Sequence, residues 1–184
     1  HFDVRQFYDS GYPSGLLGWP KFMALVDSES VEGQPIVKHV GRASFGTPGW
    51  GSELDIRFLY AYPGVSDGLG SGNTLENNAS IVLRIAYGTQ SILLMGDVEG
   101  KERDDAATPA QYAEKRLLDS VGAAGLKSTV LKIAHHGSET SSTTPFIEAV
   151  DPDHVIVSSG RQKFGGRFLP DATTLQRYCS HKSS

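Results

Sequence analysis

Apolar positions fall into two rhythms along the chain. Ile36 to Val40 and Leu54 to Tyr60 alternate with polar residues, the two-residue period of a half-buried strand. Ser80 to Tyr87 and Ser91 to Met95 are denser, and the Gly88-Thr89 pair between them is short enough to close a hairpin. The second of these runs is apolar on both faces, which predicts a strand covered on both sides. Thr129 to Ala134 and Val155 to Val157 read as two further strands. A helical spacing governs Ala110 to Ala124, where Ala113, Leu117, Leu118, Val121 and Ala124 share one face and Gly125 is the stop signal. Pro20 to Val26 predicts a short helix opened by its proline. Thr144 to Val150 predicts another, with Thr144-Pro145 at its start, and Pro170-Asp171 opens a last one carrying Leu175 and Tyr178. Gly11 to Gly15, Gly46 to Gly51 and Gly64 to Asn78 are loops, the last expected to be mobile because Gly and Ser dominate Ser66 to Gly72. From Ser80 onward the order strand, strand, helix, strand, helix, strand, helix predicts an α/β fold, a mixed sheet with helices over it.

The length of 184 residues suits one domain, 1–184, able to bury a core without disulfide or metal staples. One cysteine, Cys179, excludes an internal disulfide and a cysteine-based metal cluster, and with them a disulfide-built module and a zinc finger. The net charge of -4 argues against a protein that coats nucleic acid by bulk charge. No repeat is present, and no run of apolar residues is long enough for a membrane span. The chain opens at His1, not Met, without the charged and apolar regions of a signal peptide, so it is expected to be cut from something longer. Its compartment stays open.

Three clusters able to carry chemistry each follow a predicted strand. Met95-Gly96-Asp97 places a carboxylate at the carboxyl end of an apolar strand, where open α/β sheets bind ligands; an Asp there can equally cap the next segment. His135-His136-Gly137-Ser138 follows the next strand. Adjacent strand residues point to opposite faces, so one imidazole is expected to ligate a metal and the other to support it or touch substrate; two histidines satisfied by backbone groups are the alternative. Ser158-Ser159-Gly160-Arg161, continuing through Lys163-Phe164-Gly165-Gly166-Arg167, either holds an anionic group or forms a solvated basic loop. Asn77 to Ser80 matches a glycosylation acceptor but abuts a strand and reads better as a turn. His39, His154 and His181 lack partners at ligand spacing.

These clusters together resemble the metallo-β-lactamase-fold domain of the competence protein family, the ComEC/Rec2-like DNA-uptake proteins and their soluble relatives. The resembling stretches are Asn77 to Arg84, Ser91 to Asp97, Leu131 to Ser138 with Ser141-Ser142, and Val157 to Gly160; Phe164-Gly-Gly and Leu169-Pro-Asp171 look like the soluble subgroup. The likeness runs from about Asn77 to Tyr178. It implies an α+β sandwich of four αββα layers with one or two divalent ions, zinc or manganese, and metal-assisted hydrolysis of phosphodiesters such as single-stranded DNA. By position, Asp97 and one of His135 and His136 match metal-ligating and catalytic residues, while Asn78, Ser138, Arg161 and Lys163 are candidate substrate contacts. The family's early His-x-His-x-Asp-His motif does not occur in this chain. Either the chain starts beyond that motif, leaving a sheet edge for an amino-terminal portion or a partner to cover, or it is a degenerate member. The ligand set is expected to be incomplete, and the chain catalytically incomplete with it. A lactone, ester or β-lactam hydrolase of the same fold and a non-catalytic anion-binding module are the rival readings.

Overall fold

A five-stranded sheet organises the chain and sets the positions of the three clusters. The computed structural model describes residues 4–40 and 50–182. In chain order these are β1 (Phe7–Asp9), α1 (Trp19–Ser28), β2 (Ser30–Val31), β3 (Gln34–Pro35), β4 (Val37–His39), β5 (Asp55–Tyr60), α2 (Gly72–Asn77), β6 (Val82–Tyr87) and β7 (Gln90–Leu94). Then come α3 (Tyr112–Ser120), α4 (Gly122–Leu126), β8 (Val130–Lys132), a 3-10 turn at Ala134–Gly137, α5 (Thr144–Val150), β9 (His154–Ile156) and α6 (Ala172–Lys182).

The sheet order is β5-β6-β7-β8-β9. β5, β6 and β7 run antiparallel, with Tyr87 opposite Gln90, so Gly88-Thr89 is the whole hairpin loop and Gly88 supplies a φ of +57°. β7, β8 and β9 run parallel, with Leu93 opposite Leu131 and Leu131 opposite Val155. Parallel neighbours need crossover connections, and these hold the helices. The result is a mixed α/β fold consistent with an α+β sandwich, as the order of apolar runs predicts.

The main core lies on one sheet face. Val82, Leu93 and Leu131 are fully buried there against Ala113 and Leu117 of α3, Leu126 of α4, Phe146, Ile147 and Val150 of α5, and Tyr178 of α6. A smaller cluster on the opposite face joins Val40, Phe58 and Ala61 to Tyr8, Ile81 and Leu83. The double-sided cover expected for the Ser91 to Met95 run is full at Leu93 and Met95 and partial at Ile92 and Leu94.

Three expectations are corrected. The loop expected over Gly64 to Asn78 contains α2, with Leu69 fully buried and the Asn78 amide donating to the Leu69 carbonyl at 3.1 Å. The helix expected over Ala110 to Ala124 starts at Tyr112 and breaks at Gly122, whose φ of +69° is the left-handed conformation that ends α3. The strand expected through Ala134 pairs only to Lys132, because the chain then enters the 3-10 turn. Gly46 to Gly49 of the predicted Gly46–Gly51 loop, and His1 and Phe2 at the start, lie outside the described residues.

Candidate functional site

The carboxyl ends of β7 and β8 are tied together by a hydrogen bond from the His135 N–H to the Gly96 carbonyl, 3.0 Å. Gly96 turns the chain with a φ of +59°, and the next N–H, of Asp97, donates to Ser80 Oγ at 2.9 Å. The Asp97 carboxylate is thereby set beside the second cluster. His135 and His136 both occupy the left-handed region, at φ of +47° and +54°. Non-glycine residues held there store roughly 1–3 kcal/mol each and persist only where the surroundings impose them. The adjacent pair therefore does not sit on a strand, as the sequence suggests, but on a strained turn that sends its rings to different partners.

His136 Nε2 lies 3.6 Å from Asp97 Oδ1. Its Nδ1 is 2.6 Å from the Ser158 carbonyl, which only accepts, so Nδ1 carries the hydrogen. In the neutral ring this leaves the Nε2 lone pair facing a carboxylate oxygen. Two acceptors so placed call for a proton or a cation between them, and a backbone carbonyl on the far nitrogen is how metal-binding histidines are commonly oriented. Both side chains are about two-fifths exposed. The His136 ring also lies parallel to Phe164, with centroids 6.4 Å apart.

His135 turns away to Glu99 Oε1 at 3.3 Å and Thr140 Oγ1 at 3.2 Å. Glu99 also accepts from Asn77 Nδ2 at 2.7 Å and is almost fully buried. The structure thus brings Asp97 and His136 together and gives His135 a separate acidic partner. Among the described residues, no group of three His, Cys, Asp or Glu is placed to hold an ion. Asp97 and His136 offer two donors between them, one fewer than the three protein ligands of an ordinary catalytic zinc.

Two candidate substrate contacts are corrected. Asn78 is fully buried, its Oδ1 accepting from the Glu99 N–H at 2.8 Å and its amide spent on Leu69. Ser138 is buried under Arg103, which donates to its Oγ at 3.2 Å. Both are parts of the scaffold. Arg161 and Lys163 are exposed on the loop after β9.

A buried polar layer supports the strained turn. Glu114, fully enclosed in α3, accepts from the Ser142 N–H, the Thr143 N–H at 2.9 Å and Thr143 Oγ1 at 2.6 Å. Burial pushes its carboxyl above the usual range, against the pull of those hydrogen bonds. Tyr178 donates to Ser142 Oγ at 2.9 Å, and burial raises its phenol. Arg177 donates to the Glu139 and Ser141 carbonyls, and desolvation lowers it. Lys101 is buried with its ammonium on the Arg103 carbonyl at 2.8 Å, again lowered by desolvation. Asp171 receives the Glu139 N–H and Arg103; burial raises its carboxyl, but these hydrogen bonds prevail and hold it below the usual range.

Sequence reasoning overlooks Glu99, Glu114, Arg103 and Asp171 as parts of this site. Glu114 carried a signal: a carboxylate beside Ala113 and one turn from Leu117 lies on the apolar side of its helix. Glu99, two residues after Asp97, carried a weaker one.

Comparison with known proteins finds relatives, each matched over part of the chain. Competence protein ComA of Neisseria gonorrhoeae is 36% identical over 88 residues, 48% of this chain and 11% of that protein. Recombination protein 2 of Haemophilus influenzae is 31% identical over 109 residues, 59% of this chain and 12% of that protein. ComE operon protein 3 of Bacillus subtilis is 34% identical over 86 residues, 47% of this chain and 9% of that protein. The chain is related to competence proteins. It spans about a tenth of the length of these relatives. No family model matches it. No solved structure matches it. Among the described residues no helix is long and apolar enough to cross a membrane.

Proposed function

We propose that this chain is part of a metal-dependent phosphodiester hydrolase of metallo-β-lactamase fold, related to DNA-uptake proteins. Asp97 and His136 would hold a divalent ion, zinc or manganese, together with donors beyond the described residues. The observation that supports this is the convergence of the Asp97 carboxylate and the His136 Nε2 lone pair at 3.6 Å, with Nδ1 anchored on Ser158. Nitrogen and oxygen donors without sulfur suit these metals. A bound divalent ion would lower the pKa of a coordinated water and neutralise charge on a phosphoryl oxygen. The residues of the chain do the rest. Ser158 fixes the His136 tautomer, Ser80 fixes the Asp97 backbone, and His135 is kept apart on Glu99 and Thr140.

The test is calorimetric titration of the chain with zinc and manganese, beside cleavage of a labelled oligonucleotide. Asp97→Ala and His136→Ala should each weaken metal binding at least tenfold, and His135→Ala should weaken it less; groups that hydrogen-bond to metal-ligating histidines typically matter by about 10–100-fold, and the donors themselves by no less. Unchanged affinity in both Asp97→Ala and His136→Ala overturns the metal assignment. Turnover by this chain alone, lost in Asp97→Ala, overturns the claim that its ligand set is incomplete.

The second reading, a non-catalytic anion-binding module, is favoured by the two-donor count and by the exposed cations of the loop after β9. Those cations also weigh against a neutral lactone or ester as substrate.

A further inference from the structure

Helix α1 carries an apolar stripe that the rest of the fold leaves uncovered. Trp19, Phe22, Met23, Ala24, Leu25 and Val26 make up six of its ten residues, yet no residue of the helix is buried. A helix this short is marginal on its own in water and ordinarily takes its stability from packing of its apolar face. Phe22, Leu25, Val26 and Glu29 recur at i, i+3, i+4 and i+7, the spacing with which a helix docks on a core. Here that face lines a cavity of about 710 Å³, together with Phe7 of β1 and Val31 of β2. Phe7 and Phe22 meet edge to face, with ring centroids 5.6 Å apart, and Phe22 is still 44% exposed and Leu25 68%. Two carboxylates, Glu29 and Glu32, stand on the same cavity, and among the described residues neither forms an ion pair. With Asp27 they gather at and just beyond the carboxyl end of α1, whose last turn holds no basic residue. The helix dipole is already negative at that end, so these acids work against the helix and attract a cation from outside it.

We infer that this cavity is a docking groove for an apolar, cationic peptide segment of another protein. Apolar side chains of the segment cover Phe22, Leu25 and Val26, and a Lys or Arg beside them meets Glu29 and Glu32. The volume falls within the roughly 300–1,000 Å³ of ordinary ligand pockets, and apolar anchors set into a groove with a charged rim are how amphipathic segments are commonly recognised. The charges decide among the occupants. A second copy of this chain, paired about a twofold axis, would bring the same carboxylates to the same rim and meet repulsion. An anionic membrane would repel them too, as would the net charge of -4. A cationic segment is drawn by both the rim and the overall field. Neither Asp97 nor His136 lines the cavity, so the inference stands apart from the hydrolase reading.

Fluorescence anisotropy of the intact chain with a labelled amphipathic peptide of leucine and lysine, about 14 residues or four turns long, tests this. The counterpart made of leucine and glutamate should bind at least about tenfold more weakly. Leu25→Asp should weaken binding of the leucine–lysine peptide at least about tenfold, as expected when a central apolar anchor is lost. Its circular dichroism and Tm should match the wild type, since Leu25 is largely exposed. Glu29→Lys should narrow the preference between the two peptides at least about threefold, whereas Glu53→Lys, an equal change of net charge at an exposed site outside the cavity, should leave it within about twofold. Amide exchange across residues 19–28 should slow when the peptide is added, because a covered helix opens less often. Failure of the leucine–lysine peptide to bind, equal affinity for the two peptides, or wild-type affinity in Leu25→Asp overturns the inference. Equal effects of Glu29→Lys and Glu53→Lys do so as well, since bulk charge would then account for the binding. A dimer in sedimentation velocity that Leu25→Asp abolishes, without peptide binding, would assign the face to a second copy. Leu25-dependent binding to phosphatidylglycerol vesicles, again without peptide binding, would assign it to a membrane. Chelator in the buffer keeps the cation site out of these measurements, so failure of the groove leaves the hydrolase reading intact, and loss of metal binding leaves the groove standing.

Discussion

Gly96→Ala tests the turn that aims Asp97. The residue has a φ of +59°, and a Cβ built there would lie 2.8 Å from both Cβ and Oγ of Ser80, and 3.4 Å from the Ile81 carbonyl. The left-handed backbone alone costs an L-residue roughly 1–2 kcal/mol. Relief of the clash must push Ser80 aside, and Ser80 Oγ is the acceptor of the Asp97 N–H at 2.9 Å, so a hydrogen bond of about 0.5–1.5 kcal/mol is lost as well. The expected destabilisation is about 2–3 kcal/mol, a fall in Tm of roughly 4–12 °C for a chain of this size. Urea unfolding measures the free energy, and the double variant Gly96→Ala/Ser80→Gly separates the two contributions. Removing the Ser80 side chain opens the space but leaves the backbone strained, so the substitution at 96 should cost only about 1–2 kcal/mol when made in the Ser80→Gly background. A cost below 0.5 kcal/mol for the single variant, on the order of a neutral surface change, would refute this account of the turn, and so would a cost undiminished in the Ser80→Gly background.

Two further outcomes follow from the scaffold. Glu114→Ala removes the acceptor for two backbone N–H groups and the Thr143 hydroxyl in a fully buried position, and should cost about 3 kcal/mol or more in urea unfolding; a loss under about 1 kcal/mol would mean that other groups take over these donors. Asp151 is held down to about 2 by hydrogen bonds from Lys127 and His181. A carboxylate depressed when folded stabilises above its unfolded pKa and ceases to do so as pH falls through the folded one. Wild-type Tm should therefore drop more steeply than that of Asp151→Asn between about pH 4 and pH 2, and parallel profiles over that window would contradict the assignment.

The mixed sheet with helices over it was legible because its strands carry their own apolar runs and the helices between them keep a helical period. The limits of the elements were less so. Gly122 and Gly125 are both plausible stops, and only the backbone shows that Gly122 adopts the positive φ that ends α3. Leu69 turns a Gly/Ser-rich stretch into an anchored one through a single burial that local composition does not reveal. The three clusters were visible as residue types following strands, and the positions of Asp97 and His136 follow from that. Which of the two histidines faces Asp97 was not visible, because it depends on paired left-handed backbones and on Glu99 and Ser158, which lie elsewhere in the chain. Asn78 and Ser138 had the chemistry of substrate contacts, but burial commits them to their own backbone neighbours.

The change from antiparallel to parallel pairing at β7 has a consequence for the order of assembly. The β6–β7 hairpin closes through two residues and forms from local encounters, whereas β8 must await a long excursion through α3 and α4, with its larger loop-closure entropy. Asp97 ends the quick half and His136 ends the slow one. Asp97 and His136 therefore meet only when the late half docks, and in a nascent or partly unravelled chain the carboxylate and that imidazole are held apart by nothing more than an open connection.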